Sequence, residues 1–166
     1  MPLSIEEMNH FAQAQFTESL GWVFEHSPWV AERAWRHRPF ASCQHLSDLM
    51  NAEVAAASIE EQLALLRAHP DLGTRAKISP NSTSEQAGAG LDRLTSAEFT
   101  RLTDLNAAYR ERFGFPFLYA VKGSDKFAIL EALERRLSSS REDEFQEALR
   151  QVYRIACFRL ESVVND

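Results

Sequence analysis

Cysteine is scarce: Cys43 and Cys157 are the only two in 166 residues. Two thiols make neither a disulfide framework nor a zinc site, and they read as small core residues of a reducing compartment. No apolar run is long enough to span a bilayer, which takes about 20 residues. The acidic, polar start lacks the basic-then-apolar pattern of a signal peptide, and Val164-Asn165-Asp166 is not a Ser-Lys-Leu peroxisomal address. A cytoplasmic location is expected. Basic residues are also short: 18 Lys and Arg against 24 Asp and Glu leave a formal net charge of -6. Nucleic acid and anionic membrane both reward clustered Lys and Arg, so neither is expected as a partner. His10, His26, His37 and His45 have no metal-ligand spacing, and there is no His-Glu-x-x-His, no phosphate-cradling glycine motif and no Gly-x-Ser-x-Gly elbow. Metal and nucleotide chemistry are therefore not expected. Internal repeats, low-complexity tracts and heptad arrays are absent too.

What the chain has is helix. About 45% of residues are hydrophobic, with eleven Phe and three Trp, enough for a real core in one domain over residues 1–166. Ser4-Ile5-Glu6-Glu7, Ser58-Ile59-Glu60-Glu61 and Thr95-Ser96-Ala97-Glu98 are capping boxes that each open an apolar periodic run. A helical segment from about Thr17 to His37 is interrupted at Pro28, where Ser27-Pro28-Trp29 reads as a restart. Further helices are expected over Ser42–Met50, from Thr95 to a Gly114 C-cap, over Asp125–Leu137 with Phe127, Leu130, Leu133 and Leu137 inward, and from Arg141 to Val163. Phe115 to Gly123 is apolar, nonperiodic and bounded by Pro and Gly. With no second strand to pair with, it reads as an extended segment crossing the core, whose backbone amides need partners. The expected fold is all-α, a single-domain bundle of about eight helices.

Two stretches carry chemistry. Ile59, Gln62, Leu63 and Leu66 recur at helical steps, and Pro70 should stop that helix at His69. An imidazole at a helix C-terminus is favoured in its protonated form, ready to donate near neutral pH; equally, it would serve as a cap for the last carbonyls. After a short polar loop with Pro80 and Asn81, Ser82-Thr83-Ser84-Glu85 has the form of another capping box. Glu85 is then either a cap or the second member of an acid/base pair. Gly88 and Gly90 weaken a helix by about 1 kcal/mol each, which points to a close approach of ligand or helix to this backbone.

The last helix holds an anomaly. Its apolar stripe is Phe145, Ala148, Leu149, Val152, Ala156, Leu160 and Val163, and Arg159 falls inside it while Arg150 and Arg154 fall outside. A buried guanidinium must meet an anion or carbonyls. The sequence leaves open whether Arg159 bridges an internal carboxylate or forms a fork for a carboxylate or urea-like ligand.

Together these residues resemble one family. Ala68-His69-Pro70-Asp71-Leu72, Ser82-x-x-Glu85-Gln86-x-x-Ala89-Gly90-Leu91, Phe113-Gly114-Phe115-Pro116-Phe117 and Arg154-Ile155-Ala156-x-x-Arg159-Leu160 look like the signatures of 2-oxo-4-hydroxy-4-carboxy-5-ureidoimidazoline (OHCU) decarboxylase. Phe24-Glu25-x-Ser27-Pro28-Trp29 and Arg38-Pro39-Phe40 fit as well. The resemblance implies an all-α homodimer without a cofactor or metal, converting OHCU to (S)-allantoin and carbon dioxide at the end of the uricase route. It implies His69 as the catalytic acid/base, with Glu85 and Arg159 completing the polar site. It also implies that Pro70, Ser82, Thr83, Ser84, Glu85 and Gln86, and Phe117, Leu118, Tyr119, Ala120 and Val121, line the small-molecule substrate. Two departures stand out: Gly73, where the family more often has Ala, and a short loop between His69 and Glu85. A transthyretin-like hydrolase would need a β-rich pattern that is missing, and a noncatalytic helical binding module would not account for an inward Arg159.

Overall fold

The structure is a computed structural model, and it describes residues 2–73 and 79–166. Among these residues are nine α-helices and a single pair of two-residue strands, so the fold is all-α. None of the helices is long and apolar enough to cross a membrane. The chain divides into two compact units, Met1–Ala68 with Tyr153–Asp166, and His69–Val152.

The first unit contains β1 (Leu3–Ser4), α1 (Ile5–Asn9), α2 (Gln13–Leu20), α3 (Trp29–Ala34), a 3-10 turn (Trp35–His37), α4 (Cys43–Ala56) and α5 (Ile59–Arg67). The capping boxes at Ser4 and Ser58 form in full, side chain to amide in both directions. The segment expected from Thr17 to His37 is in fact α2, which starts at Gln13, and α3 after the restart at Pro28. The expected Ser42–Met50 helix is α4, which runs on to Ala56 from a Ser42 N-cap. The interior of this unit includes Met8, Phe16, Leu20, Phe24, Leu46, Met50, Leu65 and Leu66, all fully buried. Each such side chain contributes about 1.5–3 kcal/mol on leaving water. The parallel pairing of β1 with β2 (Val164–Asn165) has no pattern in the sequence, since two residues are too few to alternate.

The second unit contains α6 (Pro80–Gly88), α7 (Ser96–Phe113), α8 (Lys126–Arg136) and the first half of α9 (Arg141–Val163). Thr95 caps α7 in a full capping box, and Gly114 ends it at φ 80 in the left-handed conformation. Residues 116–121 form neither helix nor strand, and among the described residues the only strand pairing is that of β1 with β2. Tyr109, Phe113, Phe115 and Phe117 form an aromatic cluster with ring centroids 4.6–6.1 Å apart. Phe127 is a correction: it is 66% exposed rather than inward. The buried stripe of α8 is Ile129, Leu130, Ala132, Leu133 and Arg136, and at about 100° per residue Phe127 stands on the opposite side.

α6 corrects the expected start of its helix. Ser82 is not the N-cap; Ser79 is, at φ -62 and ψ 150, and its side chain accepts from the Ser82 amide. Pro80 explains the shift. It suits the first helical position, where no N–H is needed, and it pushes the residue before it into the extended geometry of a cap. Pro80 and Asn81 are thus helical rather than loop, and Glu85 lies a turn further along α6. The helix ends in a Schellman motif: the Leu91 amide donates to the Gln86 carbonyl (3.0 Å) and the Gly90 amide to that of Ala87 (3.0 Å), with Gly90 at φ 84. Among the described residues nothing lies within 4 Å of where a Cβ on Gly88 or Gly90 would stand, and Gly90, at φ 84, serves the helix end.

Gly73 is different. Its φ is +72, and an added Cβ would stand 2.4 Å from Leu102 Cδ2. Gly73→Ala is expected to destabilise the protein by about 1–2 kcal/mol, the usual cost of a left-handed L-residue, with a chemical-denaturation midpoint as the measurement. An unshifted midpoint would show that the turn relaxes.

Candidate active site

His69 follows α5, whose helical turns end at Arg67 with Ala68 as C-cap, two residues before the expected stop. The imidazole is buried, with 7% of the residue exposed. Pro70 is half-buried. The turn after it is pinned at successive residues. Arg110 Nη2 lies 2.9 Å from Asp71 Oδ1. Asn106 Nδ2 donates to the Leu72 carbonyl (2.9 Å), and the Gly73 amide donates to Gln86 Oε1 (2.9 Å). Gln86 is the neighbour of Glu85 on α6, so the helix carrying the carboxylate is tied to the turn carrying the imidazole. On α6, Ser82 and Gln86 are buried, Glu85 is partly exposed, and Thr83 and Ser84 face solvent.

The 117–121 segment is held by side chains. Phe117, Leu118, Ala120 and Val121 are buried, and the Tyr119 hydroxyl is 3.0 Å from that of Ser124. The Ala120 amide donates to Gln151 Oε1 (2.9 Å), and Arg136 Nη1 donates to the Leu118 carbonyl (2.6 Å). Arg136 also pairs with the Glu144 carboxylate, which accepts from the Tyr109 hydroxyl at 2.6 Å. Burial first, and then the contact with Glu144, pushes the Tyr109 phenol far above its ordinary value. It therefore stays a proton donor to Glu144 wherever the protein is folded near neutrality.

His69, Pro70, Ser82 to Gln86 and Phe117 to Val121 all belong to the second unit, whereas Arg159 belongs to the first. Arg159 is 4% exposed, as its place in the stripe requires. Its Nη2 lies 2.9 Å from Glu25 Oε2, and Nη1 reaches the carbonyls of Trp22 (3.3 Å) and Val23 (3.4 Å). The internal carboxylate that the sequence left unnamed is thus Glu25, itself 3% exposed. A shallow hollow on α7, lined by Ser96, Ala97, Thr100, Arg101, Asp104 and Leu105, includes none of these residues.

The sequence profile of OHCU decarboxylase matches residues 9–161. The chain belongs to the OHCU decarboxylase family. It is 46% identical over 161 residues to the OHCU decarboxylase of Halalkalicoccus jeotgali, covering 97% of this chain and 92% of that protein. It is 45% identical over 163 residues to the uric acid degradation bifunctional protein PucL of Bacillus subtilis, covering 98% of this chain and 33% of that longer one. Among solved structures, that of (S)-allantoin synthase superposes with a TM-score of 0.82 at 34% identity, over 99% of this chain and 54% of that one.

Within this OHCU decarboxylase-family chain, sequence reasoning missed Arg136, Glu144 and Asn106 as buried polar groups, the Tyr109 hydroxyl as a donor to Glu144, and Glu25 as the partner of Arg159. Arg136 was within reach of the same signal that singles out Arg159. Counting Phe127 into the α8 stripe rotates that stripe away from Arg136; leaving it out and counting Ile129 and Ala132 brings Arg136 inside it. Glu25 has no such signal. It sits in an irregular turn, next to a His26 whose φ of 47 no periodicity encodes.

Proposed function

We propose that the chain is a carboxy-lyase that converts OHCU to (S)-allantoin and carbon dioxide. The bond from the ring carbon to the carboxylate breaks. Its electron pair moves toward the neighbouring ring imine, which makes pyridoxal or thiamine unnecessary. A proton then returns to one face of the ring and fixes its handedness. The protein's part is to orient the carboxylate for loss, stabilise displaced charge and deliver that proton.

In this reading His69 moves the proton of the substrate hydroxyl or the returning one. Glu85 accepts from ureido or ring N–H groups, and Arg159 with amides of Phe117 to Val121 holds oxygens. Pro70 and Ser82 to Gln86 line the substrate. Ser79 supplies the N-terminal cap of α6, so Glu85 is not needed there, which favours its polar role. The observation that carries the reading is the buried His69 on a turn tied to α6 at the residue after Glu85. A homodimer in the cytoplasm, without nucleic acid or membrane as partner, goes with the resemblance and with the net charge of -6.

The test uses fresh substrate, made in place from urate by uricase and the 5-hydroxyisourate hydrolase. Optical activity is expected to appear faster than the spontaneous decay, which is racemic. An optically silent reaction at the spontaneous rate would instead favour a noncatalytic helical module.

A further inference from the structure

We infer that Asn106 is a positioning residue which, together with Gln86, clamps the Leu72–Gly73 peptide and so sets the imidazole of His69 against the segment bearing Glu85. This rests on the roles proposed above for those two residues. The Leu72 carbonyl and the Gly73 amide are the two ends of one peptide group. A buried carboxamide meets each: Asn106 Nδ2 at the oxygen and Gln86 Oε1 at the nitrogen, both at 2.9 Å. With both ends engaged, the peptide plane cannot rotate without breaking a hydrogen bond in a water-poor setting, where the loss is severe.

The clamp is transmitted over a short distance. Three bonded residues reach from Leu72 back to Pro70 and end next to His69, and the ring of Pro70 fixes its own φ. Asp71 is held by Arg110. Leu102, Asn106 and Arg110 are spaced four apart on α7, one face of the helix. They meet Gly73, Leu72 and Asp71 in turn. On the other side, Gln86 is bonded directly to Glu85.

A second observation separates positioning from packing. Asn106 is 5% exposed, yet among the described residues its Oδ1 has no hydrogen-bond partner. An unpaired buried amide oxygen is a stability cost that a leucine of similar size would not carry. The side chain is placed for what its Nδ2 holds.

The experiment is Asn106→Leu, assayed with fresh substrate. A fall in kcat of about ten- to a hundredfold is expected, with KM changed by less than about threefold and the helical circular dichroism of the unaltered chain retained at the assay temperature. A folded variant with unchanged kcat, or one in which only KM rises, would overturn the proposal. Amide exchange in the unaltered protein gives an independent answer, including the case where Asn106→Leu does not fold. The Gly73 amide is expected to exchange slowly, and exchange at the rate of an open loop would refute the clamp. An unaltered protein that does not accelerate decarboxylation overturns the functional reading and the positioning role together; slow exchange at Gly73 would then mark a purely structural clamp.

Discussion

His69→Asn is expected to fold like the unaltered chain and to lose about 10²–10⁴-fold in kcat, the range that a positioned proton donor contributes. His69 lies beyond the last turn of α5, whose C-cap is Ala68. Asparagine is smaller, polar and common past helix ends, so the backbone has no reason to move. What disappears is the group able to take up and release a proton near neutral pH. Circular dichroism checks the fold, and polarimetry on fresh substrate checks the rate. The handedness of the residual product is equally informative. If His69 returns the proton to one face of the ring, the slow product of the variant should be racemic. A full rate with unchanged handedness would remove His69 from the mechanism.

Arg159→Met is the second large effect, and it falls on stability first. The substitution leaves Glu25, 3% exposed, without its guanidinium partner, and takes a donor from the carbonyls of Trp22 and Val23. Breaking one side of a buried ion pair costs about 3–5 kcal/mol. Adding Glu25→Leu removes the stranded charge and is expected to recover a large part of that loss, since apolar replacement of a buried pair is often neutral or better. Chemical denaturation of both variants measures this. The double variant then separates the two roles of Arg159. Folded and inactive is the expected outcome, because the proposed fork for substrate oxygens is gone. Folded and fully active would make Arg159 a structural bridge alone.

Most of the helical architecture was legible, because capping chemistry and periodicity are local. Ser4, Ser42, Ser58, Thr95, Asp125 and Gly114 end or begin their helices through contacts a few residues away. The error at α6 came from competition between two local rules. Ser82-x-x-Glu85 has the capping-box form, but Ser79-Pro80 three residues earlier combines a cap with a residue pre-set for the first turn, and the earlier start prevailed. Burial of Arg159 was legible because a long amphipathic helix averages out noise over six turns. Its partner was not, because Glu25 lies in a turn more than a hundred residues away in the chain. The clamp on the Leu72–Gly73 peptide was invisible for the same reason: Asn106 reads as an ordinary polar residue of α7 until the turn it holds is in place.

The run from Phe117 to Val121 has one more consequence. Its rungs at Leu118 and Ala120 are made by the side chains of Arg136 and Gln151 rather than by a neighbouring strand. A backbone ladder can be altered only by moving a whole strand. Here a change at Gln151 alters the Ala120 rung by a single codon, whereas Arg136 also holds the buried Glu144, so one end of this wall is open to adjustment and the other is anchored.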